Sequence, residues 1–419
     1  MSDRTVTLLV NGRRYRLGRR PVAVVCLDGG DPAYLEDAFA RGLMPRLQAA
    51  SRAGSYNLAK AVLPSFTNPN NVSVVTGRPP TVHGISGNFF LDRASGEAVP
   101  MTDPSFLRAP TILAEFSQAG VPVAAVTAKD KLRRMLGHGL AAGAIAFSSE
   151  QAAVCTVQEN GIGDVESFVG MPQPDVYSAE LSLFVLHAGA RLVRDRRARL
   201  LYLSLTDYVQ HTYPPGSAGS DDFHRRVDAA LGDLIDAGAM LGLIADHGMN
   251  DKAHEDGSPN IVFVQDALDA RFGVGATRVI LPITDPYVAH HGSLGGYVRV
   301  YCTGDVAAAE VAEFCMRLPG VDIALERDAV CALFDLPPDR EGDVAVISDA
   351  RTALGSSASY HDLAALAGHR LRSHGGIAET TVPFITSAPL LPEYAEHAAA
   401  SKLHNYDIFD FVLNGTAFD

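Results

Sequence analysis

Four short apolar runs, each closing at or near an ionisable residue, constrain the fold of this chain more than any other feature. Residues 21–27 (PVAVVCL) meet Asp28, and residues 121–127 (VPVAAVT) lead to Lys129. Residues 200–206 (LLYLSLT) meet Asp207, and residues 240–245 (MLGLIA) meet Asp246. Runs of this length, rich in Val, Ile and Leu, predict strands buried on both faces, as in a parallel sheet. Residues 44–53, 111–119, 179–195 and 223–237 read as helices between them. In open α/β sheets ligands bind just beyond the carboxyl ends of the strands. Four strand ends carrying ionisable groups therefore predict one shared site.

From about residue 259 to 360 the texture changes. Residues 298–302 read as a strand, 307–318 as a helix, and 323–326 and 330–334 as short strands of a smaller α+β unit. Residues 342–347 return to the main pattern. The expectation is a core in two parts, 1–258 and 361–419, with a cap inserted at 259–360 and the core resuming as early as 342. A chain of 419 residues with 47% hydrophobic residues is long enough to bury such a core. Its 35 basic against 48 acidic residues give a net charge of −13, which argues against nucleic-acid or anionic-membrane partners. A small anion in a locally basic pocket stays compatible with that balance. The five cysteines (Cys26, Cys155, Cys302, Cys315 and Cys331) are scattered with no close pair, which suits reduced thiols. No apolar leader with a cleavage site follows Met1, and no uncharged apolar run approaches the ~20 residues of a membrane span. The expected setting is cytoplasmic.

Seven residues carry the chemistry: Asp28 in CLDGGDP, Thr67 in PSFTNPNN, Asp207 and His211 in TDYVQH, Asp246 and His247 in ADHGM, and His374 in RSHGG. Singly, each has a plain structural explanation. An Asp at a strand end is often a helix cap, an i, i+4 Asp/His pair a surface contact, and Asp-His-Gly a turn. Their joint placement at the ends of core segments, with a hydroxyl in a Pro/Asn-rich loop, favours chemistry. Three Asp and three His with no Cys make a mixed oxygen and nitrogen set suited to zinc, and less strongly to manganese or iron. Six ligands exceed one tetrahedral site. They fit two metals about 3.5–4 Å apart, which clamp the attacking and leaving groups of a displacement at phosphorus.

This pattern resembles the alkaline phosphatase superfamily and, within it, the nucleotide pyrophosphatase/phosphodiesterase-like branch. The resemblance spans roughly residues 20–257 and 342–391, and its most specific segment is FTNPNNVSVVTGRPPTVHGISGN, with a Thr-x-Pro-Asn turn at Thr67. It implies an alkaline-phosphatase-like α/β core, with a mostly parallel central sheet flanked by helices and a smaller α+β cap. It also implies that Thr67 is the nucleophile and that one metal is held by Asp28, Asp246 and His247, with Thr67 bridging to it. Asp207, His211 and His374 would hold the other, and Asn88 would donate to a phosphoryl oxygen.

A narrower resemblance, to the phosphonoacetate hydrolases, rests on TAKDK at 127–131 together with Asn88 in GISGNFF. Two lysines at a strand end are ordinarily solvated. Here the resemblance implies that Lys129 and Lys131 bind a substrate carboxylate, with His211 also at the substrate. The expected activity is hydrolysis of the C–P bond of phosphonoacetate by two zinc ions through a phosphothreonine. Alternatives are a nucleotide phosphodiesterase or pyrophosphatase, stacking a base on Phe66, Phe89 or Phe90, a phosphatase of small monoesters, and a catalytically silent metal-binding scaffold.

Overall fold

The computed structural model describes residues 4–283, 293–361, 363, 370–400 and 403–417. Its central sheet has seven strands in the order Ser55–Lys60, Thr381–Thr386, Met240–Ile244, Val22–Cys26, Leu200–Ser204, Val123–Thr127, Ile145–Ser148. The last five are mutually parallel, and Thr381–Thr386 runs antiparallel to both of its neighbours. All four predicted apolar runs are strands of this sheet, and the three that precede the aspartates lie side by side. In Val22–Cys26 every residue is buried. Ala23 and Val25 face one core with the helices Glu180–Arg194 and Ala218–Asp236, while Val22, Val24 and Cys26 face another with Ile112–Gln118 and Ile408–Asn414. Burial on both faces is why these strands read as unbroken apolar runs. Among the described residues no helix is long and apolar enough to cross a membrane.

A second sheet holds four antiparallel strands in the order Thr277–Ile280, Tyr297–Cys302, Val344–Ser348, Val321–Glu326. Two expectations fail here. Residues 330–334 are not a strand but the end of the helix Arg327–Phe334, whose Val330 and Cys331 turn inward on a 3.6-residue period. The run at 342–347 does not rejoin the main sheet. Val344–Ser348 is a central strand of the second one, and its apolar continuity reflects burial there. Leu63 and Phe66, which lead into Thr67, belong to the core of this second unit.

Just after the helix Thr67–Thr76, His83 is fully buried. The Ile85 N–H donates to its Nδ1 (3.1 Å), and its Nε2 lies 2.8 Å from Ser73 Oγ, so the ring is a neutral donor to the serine. Burial, then the charge of Arg340, push its pKa down to about 3. An unfolded histidine titrates near ~6.5, so as pH falls the unfolded chain takes up this proton first. Stability should therefore decline from about pH 6.5 down towards about 3, by up to ~1.4 kcal/mol per pH unit from this group. Urea midpoints against pH should show a shallower acid slope in His83→Gln than in the wild type; identical slopes would contradict the assignment.

Candidate metal centre

The six predicted ligands come from the expected strand ends and from one late turn. Asp28 follows the strand Val22–Cys26, and its chain reverses at Gly29, where φ is +66° and a Cβ would lie 3.1 Å from the Asp207 Cβ. Only glycine takes that conformation at no cost so close to a neighbour. Asp207 caps the helix Tyr208–Thr212, which puts His211 one turn later on the same face, with Nε2 2.9 Å from Asp207 Oδ2. Asp246 and His247 follow Met240–Ile244. His374 closes the site from the turn after Arg372–Ser373, at Gly375, where a Cβ would strike Phe66 at 2.4 Å.

Hydrogen bonds decide what the imidazoles can do. His211 Nδ1 lies 2.7 Å from the Arg372 carbonyl, His247 Nδ1 2.9 Å from that of Gly248, and His374 Nδ1 2.8 Å from that of Ser65. A carbonyl only accepts, so each Nδ1 carries the proton and each Nε2 of a neutral ring presents a lone pair. Those lone pairs point at other lone pairs. His247 Nε2 is 3.3 Å from Asp28 Oδ1 and 3.6 Å from Asp246 Oδ2, and the Thr67 hydroxyl donates to it at 3.4 Å. His374 Nε2 is 3.6 Å from Asp207 Oδ2, and Asp28 Oδ1 is buried with no hydrogen-bond donor among the described residues. Zinc bonds of about 2.0–2.1 Å at tetrahedral angles would set ligand atoms roughly 3.3–3.4 Å apart, close to these spacings. Asp207, His211 and His374 form one such group, and Asp28, Asp207 and His247 another. The two share Asp207, a carboxylate that the sequence reading gave to one metal alone.

Electrostatics agrees. Burial, then the charges of Asp207 and Asp246, push the Asp28 carboxyl well above its ordinary range. Burial, then His247 and His211, push His374 well below the ordinary histidine value. A buried carboxylate in this company needs a cation or a proton.

Thr67 opens the helix Thr67–Thr76, half-buried and facing the centre, at the end where free N–H groups and the helix dipole favour an anion. One turn on, Asn71 is a residue the sequence reading missed. Its Nδ2 donates to Asp246 Oδ2 (3.2 Å) and to the Thr67 carbonyl (2.9 Å), while its Oδ1 accepts from Tyr202 and Ser204 (2.7 and 2.8 Å). It therefore ties Thr67 to Asp246. The signal was present, since Tyr202 and Ser204 are polar residues two apart in an apolar run and so share a strand face.

The expected substrate residues are placed less uniformly. Lys129 caps the helix Asp130–Leu136, its backbone carbonyl held by Thr127 Oγ1 at 2.8 Å. Its charge reaches Asp28, and its Nζ lies 5.9 Å from the centre of the Tyr177 ring. Lys131 is half-buried in the first turn of that helix. Asn88 sits in a loop that the second unit holds. Its N–H donates to the Pro282 carbonyl (2.8 Å), and Arg299 donates to the carbonyls of Ser86 (2.7 Å) and Phe89 (2.6 Å) on either side. Asn88 Oδ1 is buried without a partner among the described residues.

The sequence profile described as type I phosphodiesterase / nucleotide pyrophosphatase matches residues 22–364. This chain belongs to that family. The family is a branch of the alkaline phosphatase superfamily, and its members are hydrolases of phosphorus-containing compounds. Human ectonucleotide pyrophosphatase/phosphodiesterase family member 1 is 29% identical over 248 residues, 55% of this chain, and the match spans only 23% of that protein. Among solved structures, phosphonoacetate hydrolase from Sinorhizobium meliloti 1021, in complex with phosphonoacetate, superposes with a TM-score of 0.93 at 46% identity, over 99% of this chain and 100% of that one. The same protein in complex with phosphonoformate gives the same values. Murine ectonucleotide pyrophosphatase/phosphodiesterase 5 superposes at 0.63 with 18% identity over 96% of both chains, a likeness of fold alone.

A cation entering this centre competes with protons for its carboxylate and imidazole ligands. Adding a divalent metal to the metal-free protein should release protons, and affinity should weaken as pH falls, because the raised carboxyl pKa brings proton competition closer to neutrality. Calorimetric titration in buffers of different ionisation enthalpy measures the released proton. Heats independent of buffer, with affinity flat across pH, would contradict it.

Proposed function

We propose that this chain hydrolyses the C–P bond of phosphonoacetate, giving acetate and phosphate, through a phosphothreonine on Thr67 and with two zinc ions per chain. The observation that carries the reading is the convergence of Asp28, Asp246, His247 and Thr67 at one position and Asp207, His211 and His374 beside it, with lone pairs facing one another. The first group would hold one metal, with Thr67 bridging to it, and the second group the other; Asp207 lies near enough to serve both. A di-metal centre supplies charge neutralisation of the phosphonate and activation of oxygen nucleophiles at neutral pH. The 46% identity to a phosphonoacetate hydrolase over nearly the whole chain supports the substrate.

The Thr67 hydroxyl gives up its proton to solvent as Oγ attacks phosphorus, and the P–C electron pair leaves onto carbon. The neighbouring carboxylate accepts it as an enediolate, which takes a proton to become acetate. Water then hydrolyses the phosphothreonine, restoring the hydroxyl. An enediolate on a carboxylate is a dianion, so cations beside it lower the barrier most. Lys129 and Lys131 would supply that charge, Asn88 would donate to a phosphoryl oxygen, and His211 would also lie at the substrate.

The nucleotide alternative needs an exposed aromatic surface for a base. Phe66 is buried with its edge against His374 (5.6 Å), and Phe90 is buried against Phe106 (5.8 Å). Two of the three candidate rings are thus used in packing, and Tyr177 carries Lys129 instead. Five free cysteines, three of them buried, and a net charge of −13 suit a cytoplasmic setting with a small anionic substrate.

Thr67→Ala should retain two metals and lose turnover by several orders of magnitude, while Thr67→Ser retains part of it; near-normal rates in the alanine variant would remove the covalent step. Lys129→Met keeps the packed stem and deletes the charge. It should slow phosphonoacetate cleavage about ten- to a hundredfold and leave p-nitrophenyl phosphate nearly unchanged, since an aryl phosphate has no carboxylate. Equal losses on both substrates would reduce the assignment to a general phosphohydrolase. Elemental analysis of active protein should find two zinc ions per chain.

A further inference from the structure

Behind the metal-facing residues lies an ion pair that the proposed reaction does not use. Lys252 and Glu379 are both fully buried, with Lys252 Nζ 2.9 Å from Glu379 Oε1. Such pairs lose their hydration, and replacing them with apolar residues is often neutral or stabilising, so stability is a weak reason for having one. Its partners suggest another. Asn250 Nδ2 donates to Glu379 Oε1 (2.7 Å), the Gly376 N–H to Oε2 (2.9 Å) and the Gly248 N–H to the Glu379 carbonyl (2.7 Å). Lys252 also donates to the Asp349 carbonyl at 3.1 Å.

Gly248 and Asn250 belong to the turn of His247, and Gly376 to the turn of His374. A short antiparallel ladder, Asn250 to Ser373 and Asp251 to Arg372, joins the same two turns. Glu379 is thus a common acceptor for the two segments that present His247 and His374, whose rings stack 3.5 Å apart and 5° from parallel. Two cations held on these rings would repel each other and drive the turns apart. A shared, charge-paired carboxylate behind both turns opposes that motion.

We propose that Glu379, paired with Lys252, is a positioning residue that fixes the separation of His247 and His374 and so the spacing of the two metals. The proposal rests on the two-metal reading above and adds which residues set its geometry. Partners one layer out from metal ligands commonly alter metal affinity about 10–100-fold when lost.

The test compares wild type, Glu379→Gln, Glu379→Asp and the double variant Lys252→Met/Glu379→Leu. It uses metal-free thermal midpoints, stepwise zinc affinities by chelator competition, and kcat and KM. Glu379→Gln should bind the first zinc as wild type and the second about 10–100-fold more weakly, with kcat reduced and KM little changed. Glu379→Asp, which keeps the charge but retracts it, should fall between them. The double variant should regain the metal-free thermal midpoint without regaining the second affinity. Recovery of both in the double variant, or unaltered zinc affinities in folded Glu379→Gln and Glu379→Asp, would overturn the proposal. Should the double variant fail to fold, the two single variants decide. A wild-type protein binding one zinc would overturn the two-metal reading and this proposal together. Two zinc ions in wild type with unchanged second affinity in the variants would overturn the proposal alone.

Discussion

Three carboxylates and three imidazoles aim their lone pairs at one buried place, and most of the surrounding architecture exists to keep them there. Left to themselves such groups repel. Asp28 shows the cost most plainly, with a buried oxygen that has no donor among the described residues and a carboxyl pushed towards its protonated form. Backbone carbonyls at each Nδ1 fix the imidazole tautomers, and Asn71 and two backbone N–H groups hold Asp246. The chain thus spends its polar groups on orienting ligands, and a cation supplies the missing attraction.

The sheet makes this convergence cheap in conformational freedom. The parallel strands Val22–Cys26, Leu200–Ser204 and Met240–Ile244 are adjacent and in register, so the residues that follow them emerge side by side. Because the strands are buried on both faces, their ends cannot slide without exposing apolar surface. The aspartates inherit that rigidity.

The second unit reaches the same centre by packing and by one buried cation. Leu63 and Phe66 anchor the approach to Thr67 in its core, and Phe66 also supports His374. Arg299, paired with Glu341 at 2.8 Å, brackets the Asn88 loop from the opposite side. Thr67 and the Asn88 loop are therefore placed relative to the Asp and His cluster by contacts between units far apart in sequence.

Much was written in the sequence itself. Apolar runs ending in Asp28, Asp207 and Asp246 determined a buried parallel sheet and the edge where chemistry would gather, because burial on both faces leaves no polar alternation. The i, i+4 spacing of Asp207 and His211 determined that they share a face, since one helical turn brings them together. Other features only the tertiary structure decided. The segment 330–334 is apolar enough for a strand or a helix, and its packing against the second sheet selects the helix. The run at 342–347 looks like a core strand wherever it lies; pairing partners, absent from local sequence, put it in the second sheet. Asp207 standing between both groups of ligands, Asn71 bridging Thr67 and Asp246, and Glu379 behind both histidine turns all depend on distances between segments tens to hundreds of residues apart. Periodicity and composition report what a residue's own segment buries, and carry no record of which distant segment it will meet.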